Sequence, residues 1–317
     1  MTLTPAAAES LRAALATVVV VPVTPFGPDG DPDYGAYNAL STRLLDAGIS
    51  VITPNGNTGE FYALSAAEAR RAAEAAARAA ADRDGVHVVA GVGHDIASAI
   101  DAAKHAQDAG ASMIMIHQPV HPYVARDGWV DYNAAIANAV PDLGVVLYIR
   151  SDRFTGAHIA ALADRAPNVV GVKFGLRDAV VFAQVARDAG VDRFTWLAGA
   201  AELTAPAFWA VGARGFTSGL ANVAPALALS MLDALRADDF GAAMKVWESV
   251  RRFEELRAAD SSADNVAVVK EAMAQLGLCH ADVRPPSRRL PNAIKGEVSG
   301  ILRSWGLATG PDTPEGM

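Results

Sequence analysis

Eight short apolar runs, rich in β-branched residues, punctuate the first two-thirds of the chain: residues 18–23, 50–53, 86–91, 112–117, 144–148, 169–173, 194–197 and 215–218. Apolar residues follow one another within each run instead of alternating with polar ones, the pattern of parallel strands covered on both faces. Helix-forming stretches lie between them. Ser65-Ala-Ala-Glu68 reads as a capping box, in which the serine hydroxyl accepts from a backbone amide while the glutamate reaches back to the serine N–H; it opens a predicted helix over 66–82, rich in Ala, Arg and Glu. Residues 98–109, 132–139, 157–166, 179–189 and 203–211 fill corresponding places after later strands. Ala47-Gly48, Ala109-Gly110 and Ala189-Gly190 supply glycines for left-handed helix ends.

A closed (β/α)8 barrel and an open doubly wound sheet both alternate strand and helix in this way. The open nucleotide-binding sheet carries G-x-G-x-x-G after its first strand, whereas here that strand runs into Pro22-Val-Thr-Pro-Phe-Gly27. Eight units packed into the barrel's usual span of roughly 250 residues favour a TIM barrel. The expected layout is an N-terminal helix over 1–16, a (β/α)8 catalytic barrel over 17–224, a C-terminal helical domain over 225–308 and a frayed tail over 309–317. Within the helical domain, 226–236, 240–258, 263–276 and 294–305 read as amphipathic helices.

Composition narrows the partners. Of the 317 residues, 51% are hydrophobic and 20% charged, enough for a large core and against disorder. A formal net charge of −8 disfavours nucleic acid, whose phosphates need a clustered basic surface. Cys279 is the only cysteine, so no intrachain disulfide can form. The first sixteen residues read as an alanine-rich helix instead of a secretory leader, and no apolar run approaches the ~20 residues that span a bilayer. A soluble cytoplasmic protein without membrane contact is expected.

Barrel enzymes carry their chemistry at the C-terminal ends of the strands. Lys173 ends the sixth run, while the other lysines, Lys104, Lys245, Lys270 and Lys295, fall in helical or C-terminal segments. Burial disfavours the ammonium and lowers its pKa, leaving the free amine that condenses with a ketone; arginine stays protonated and cannot do this. A structural lysine paired with Asp178 or Glu202 would leave the same trace. Tyr148 ends the fifth run, so phenol and amine face one cavity, suited to general acid–base work beside an imine; a core tyrosine bonded to a backbone carbonyl fits its position equally. Gly56-Asn-Thr-Gly-Glu60 is a glycine-bracketed turn whose amides can converge on an anion, or an ordinary connection towards the Ser65 cap, with Glu60 accepting from loop amides. His117 and His121 are four apart, but Pro119 and Pro122 exclude the regular helix that would make them a metal pair. His121 lies on a strand-end loop and could line the pocket. No metal or cofactor is expected.

These residues, together with Val23-Thr-Pro-Phe26, Val89-Ala-Gly-Val-Gly93, Arg153-Phe-Thr-Gly156, Gly171-Val-Lys173, Gly212-Ala-Arg-Gly-Phe-Thr-Ser218, Asn222-Val-Ala-Pro225 and Val283-Arg-Pro-Pro286, make the chain resemble the dihydrodipicolinate synthase / N-acetylneuraminate lyase family of class I aldolases from about Val18 to Leu307. The resemblance implies a tetrameric or dimeric (β/α)8 barrel, Lys173 as the Schiff-base lysine, Tyr148 as the proton-transfer residue, and the turn at Asn57 and Thr58 as the binder of a 2-keto acid carboxylate. Thr217 and His121 would line the same pocket. Arg153 sits where a synthase holds a second carboxylate.

Departures from the family pattern bear on the substrate. Asn57 stands where the family usually has Thr or Ser, which alters the usual hydroxyl relay to the tyrosine. Val120-His121 replaces a Tyr-Tyr pair, and Tyr148-Ile149 replaces Tyr-Asn. Thr58-Gly-Glu-Phe-Tyr-Ala-Leu-Ser65, Tyr148-Ile-Arg150 and Lys173-Phe-Gly-Leu-Arg-Asp178 are nearer the 5-dehydro-4-deoxyglucarate dehydratase branch, which typically reads TGEFFSL, YNR and KDGxGD, although Phe174 replaces an acidic residue. The expected activity is that of a cofactor-independent lyase, aldolase or dehydratase, on a 2-keto acid such as pyruvate or a deoxy-keto sugar acid; 4-hydroxy-tetrahydrodipicolinate synthase proper is the nearer alternative. A silent keto-acid binder, and a barrel isomerase gripping phosphate at Gly215-Phe-Thr-Ser-Gly219, are the rivals from other classes.

Overall fold

In the computed structural model, residues 2–307 are described. Residue 308 and the expected tail over 309–317 lie outside the described residues. The chain opens with helix α1 (Pro5–Leu15), capped by Thr4, whose hydroxyl accepts from the Ala7 amide at 3.2 Å. Strand and helix then alternate: β1 (Val18–Val20), α2 (Tyr34–Asp46), β2 (Val51–Ile52), α3 (Ala66–Ala80), β3 (His87–Val92), α4 (Ile96–Asp108), β4 (Met113–Ile116), α5 (Arg126–Ala139), β5 (Gly144–Ile149), α6 (Gly156–Arg165), β6 (Val169–Phe174), α7 (Ala179–Ala189), β7 (Thr195–Ala198), α8 (Ala205–Ala210) and β8 (Gly215–Ser218). All neighbouring strands pair in parallel, and β1 pairs with β8 to close the barrel. Four helices follow: α9 (Pro225–Arg236), α10 (Phe240–Ser262), α11 (Asn265–Gln275) and α12 (Asn292–Ser304). This is a TIM barrel with C-terminal helices. No helix among the described residues is long and apolar enough to cross a membrane.

Two apolar layers hold it. The strands' inner faces contribute Val19, Val51, Val89, Met115, Val146 and Leu197 to a core that Ala8, Leu11 and Leu15 of α1 complete, so α1 plugs the barrel floor. The strands' outer faces pack against the ring of helices through Val20, Ile52, Ile114, Leu147, Val172 and Phe216, among others. With α1 packed into the floor, the barrel's cavity opens at the opposite rim. α3 starts as its sequence dictates: Ser65 Oγ accepts from the Glu68 amide at 3.3 Å, and Glu68 Oε2 accepts from the Ser65 amide at 2.7 Å.

Three expectations shift. The fifth helix starts at Arg126, earlier than 132, because Trp129 and Val130 are buried and their packing overrides the helix-weakening Gly128. The first strand stops at Val20 instead of continuing to 23, since Pro22 has no N–H to give a ladder. Helix α10 runs past 258 into a kink at which Ala259 is extended and Asp260 and Ser261 are left-handed. That kink lies over the barrel rim.

Candidate active site

Lys173 and Tyr148 are register partners on β6 and β5, so their side chains leave the barrel wall at the same height. The lysine nitrogen lies 4.2 Å from the centroid of the tyrosine ring. Gly175 permits this closeness: a Cβ there would come 2.9 Å from Tyr148 Cε2. Both residues line a cavity of about 460 Å³ at the C-terminal mouth, with Asn57, Thr58 and Thr217.

Lys173 is 4% exposed. Burial drives its pKa down to about 7, assisted by the positive charges of Arg150 and then Arg257. Neither anticipated carboxylate pairs with it. Asp178 caps α7 by accepting from the Val180 and Val181 amides, and Glu202 accepts from Ser218 Oγ at 2.5 Å. The arrangement is therefore one of an amine near half-neutral at pH 7, not of a structural ammonium.

The Tyr148 hydroxyl accepts from Asn57 Nδ2 at 3.3 Å. Burial raises the phenol's pKa above the usual tyrosine value, while the Arg150 charge and the Asn57 hydrogen bond pull the other way. Asn57 thus reaches the tyrosine that the family's hydroxyl reaches, through an amide. The turn Asn57–Gly59 is one turn of 3₁₀ helix. Its Gly59 and Glu60 amides donate to Gly56 and Asn57 carbonyls, whereas the Asn57 and Thr58 amides have no partner among the described residues. Thr217 Oγ1 donates to the Gly199 carbonyl at 3.3 Å, on the facing rim.

His121 and Arg153 are not among the residues lining this cavity. His121 stands on the exposed loop after β4, where its Nδ1 accepts from the Tyr123 amide at 3.1 Å. Arg153 is drawn towards that same loop and donates from Nη2 to the Val124 carbonyl at 2.7 Å. Arg150, one residue past β5, lines the cavity instead; its guanidinium lies 5.9 Å from the Tyr148 ring centroid and has no hydrogen-bond partner among the described residues.

Sequence reasoning passed over several lining residues. Arg177 reaches across the rim to Ser262 Oγ at 3.5 Å. Arg257 of α10 is buried against Gly219, bonded to Glu254 Oε1 and, at 3.0 Å, to Asn265 Oδ1. Behind this wall Glu202 is 0% exposed. Burial, followed by the neighbouring Glu254 charge, pushes its carboxyl up to about 8. Arg150 and Arg177 follow strands directly and could have been read from that position; Arg257, inside a helix far along the chain, gives no such signal. His117, by contrast, is a structural residue: it is stacked on Phe61 at 4.1 Å, its Nε2 lies 2.8 Å from the Asn55 carbonyl, and burial holds its pKa at about 3, so the neutral ring donates to that carbonyl. No group of three or more His, Cys, Asp or Glu side chains among the described residues could hold a metal ion.

Fold and cavity together define a TIM-barrel protein with a buried lysine at the C-terminal rim of its strands. The chain belongs to the dihydrodipicolinate synthetase family, whose pattern matches residues 14–304. It is 31% identical over 301 residues to a probable 5-dehydro-4-deoxyglucarate dehydratase of Methylobacterium radiotolerans, covering 93% of this chain and 97% of that one. Among solved structures it is similar to dihydrodipicolinate synthase from Bacillus clausii, with a TM-score of 0.89, 39% identity, and 94% and 100% of the two chains covered. It is also similar to a prophage protein of the dihydrodipicolinic acid synthase family from E. coli K12, solved in complex with pyruvate, with a TM-score of 0.82, 26% identity, and 92% and 99% covered. The family and the barrel anticipated from the sequence are those found.

Proposed function

We propose that this enzyme is a class I lyase that condenses Lys173 with the ketone of a 2-keto acid. One observation carries the reading: a lysine without a carboxylate partner, its amine near half-neutral at pH 7, stands over the ring of a tyrosine at the open rim. Lys173 Nζ adds to the keto carbon, the carbinolamine loses water, and the resulting iminium withdraws electrons from the neighbouring carbon. Tyr148 moves the protons of these steps. The Asn57 and Thr58 amides, free on the turn, receive the carboxylate, and Thr217 faces the bound acid across the cavity.

A dehydration of a deoxy-keto sugar diacid is the reaction we favour: loss of the proton next to the iminium carbon is followed by departure of the adjacent hydroxyl as water. The dehydratase relative supports this, as does the unpaired Arg150 guanidinium, which suits a second carboxylate better than Arg153, already spent on Val124. The similarity to a synthase supports a second reading, aldol condensation of pyruvate with an aldehyde. Assembly as a dimer or tetramer and a cytoplasmic setting belong to the same proposal.

Borohydride reduction in the presence of pyruvate, followed by peptide mapping, is expected to leave the label on Lys173; an active enzyme trapped elsewhere would refute the role. Arg150→Ala is expected to lower kcat/KM on the diacid by about 10–100-fold, the loss of one charge-assisted hydrogen bond, while pyruvate trapping at high pH stays within about twofold. Because Arg150 also holds the Lys173 pKa down, the variant's trapping rate should rise at a higher pH than that of wild type.

A further inference from the structure

Lys270 of α11 is 0% exposed and far from the reacting groups in sequence, yet it ends on the turn that the keto acid carboxylate would meet. Its ammonium donates to Glu60 Oε2 at 2.5 Å and to the Asp282 carbonyl at 2.7 Å, and it lies 4.0 Å from the centroid of the Phe26 ring. The other oxygen of Glu60 accepts from the Arg284 amide at 2.9 Å. Both carboxylate oxygens of Glu60 are thus gripped by residues that follow the barrel. Glu60 itself is left-handed, with φ 59°, and its amide closes the 3₁₀ turn on the Asn57 carbonyl at 3.0 Å. A buried ion pair is a poor source of stability, because desolvation offsets most of the attraction; its use lies in fixing one geometry.

We infer that Lys270 is a positioning residue: through Glu60 it holds the Asn57 and Thr58 amides at the spacing that receives the substrate carboxylate, so the C-terminal helices take part in substrate binding without touching substrate. The inference rests on the Schiff-base reading above. A displaced turn costs carboxylate binding and so raises the half-saturating concentration of a ketone that carries a carboxylate, whereas any loosening of the Asn57–Tyr148 hydrogen bond on the same turn slows trapping of both ketones alike. Two ketones separate these effects: pyruvate, which has the carboxylate, and hydroxyacetone, which lacks it.

The experiment measures borohydride trapping against ketone concentration in the full-length enzyme, in Lys270→Met, and in the double variant Lys270→Met/Glu60→Gln. The double variant leaves no buried charge unpaired and so keeps folding separable from positioning; melting curves check this. The half-saturating pyruvate concentration is expected to rise by about 10–100-fold in both variants, the scale of a ~1 Å misplacement. The half-saturating hydroxyacetone concentration is expected to stay within about twofold of wild type. Equal rises in that concentration with both ketones, or no rise with pyruvate in the folded double variant, would overturn the role of Lys270. Wild-type enzyme that traps neither ketone would instead overturn the Schiff-base reading, and this inference with it.

Discussion

Lys173→Met is expected to abolish imine trapping and to lower turnover by about 10⁴-fold or more, the scale on which loss of a covalent nucleophile is felt. An unperturbed lysine at pH 7 is free amine in only about one molecule in three thousand. Burial beside Arg150 and Arg257 brings Lys173 to about 7, so roughly half is free amine at neutral pH. The wild-type trapping rate should therefore climb as pH rises through about 7 and level off above it; a climb delayed to near 10 would contradict the burial argument. Stability provides a second readout, and in Lys173→Met it moves opposite to activity. Between about 7 and the unfolded value of 10.5 the unfolded chain binds a proton that the native chain does not, so native stability rises with pH across that window. Below it both states are protonated and the full cost of the buried ammonium is present. Methionine removes that cost. The inactive variant should melt above wild type, with the gap widest below pH 7 and narrowing as pH rises towards 10.5. A lower melting point would make lost activity a folding effect.

The fold was legible because parallel strands buried on both faces write themselves as uninterrupted apolar runs, and because eight of them need a short, regular chain between. Lys173 and Tyr148 were legible for the opposite reason: each is a polar residue at the end of such a run, where an inward register is forced by the pleat. Closure of β1 on β8 could only be inferred from the count of strands. Loop residues were less readable. Arg150 and Arg153 stand three apart, and sequence spacing cannot tell which of them turns into the cavity and which bonds to Val124. Contacts made across the whole chain left no local trace at all. Glu60 and Lys270 are separated by 210 residues: the sequence suggests a Glu60 that accepts from loop amides, as it does from Arg284, but gives no sign that Lys270 is its partner. Arg257 and the left-handed kink at Asp260 and Ser261 lie in a stretch of α10 with no glycine or proline after Gly241, so the rim they form is a product of tertiary packing.

Tyr148→Phe is expected to separate binding from proton transfer. The buried phenol is protonated in the resting enzyme, since burial outweighs Arg150 and Asn57 in setting its pKa. It can therefore act first as an acid, protonating the carbinolamine hydroxyl that leaves as water, and the phenolate so formed can then take the proton next to the iminium carbon. Asn57 Nδ2, 3.3 Å from the oxygen, donates to it in either state and favours the phenolate more, because a hydrogen bond to a charged acceptor is the stronger one. Removing the hydroxyl leaves the turn amides and Lys173 in place. Borohydride should still label Lys173 to completion with pyruvate, only more slowly, while exchange of the pyruvate methyl hydrogens with deuterated solvent, followed by NMR, falls by about 10²–10⁴-fold, the usual span of general acid–base catalysis. Asn57→Ala should fall between wild type and Tyr148→Phe in the exchange rate, since the phenolate then forms without its donor. Exchange in Tyr148→Phe equal to wild type would show that another group moves the proton, and Glu202, a buried carboxyl raised to about 8 behind Ser218, would be the next residue to replace.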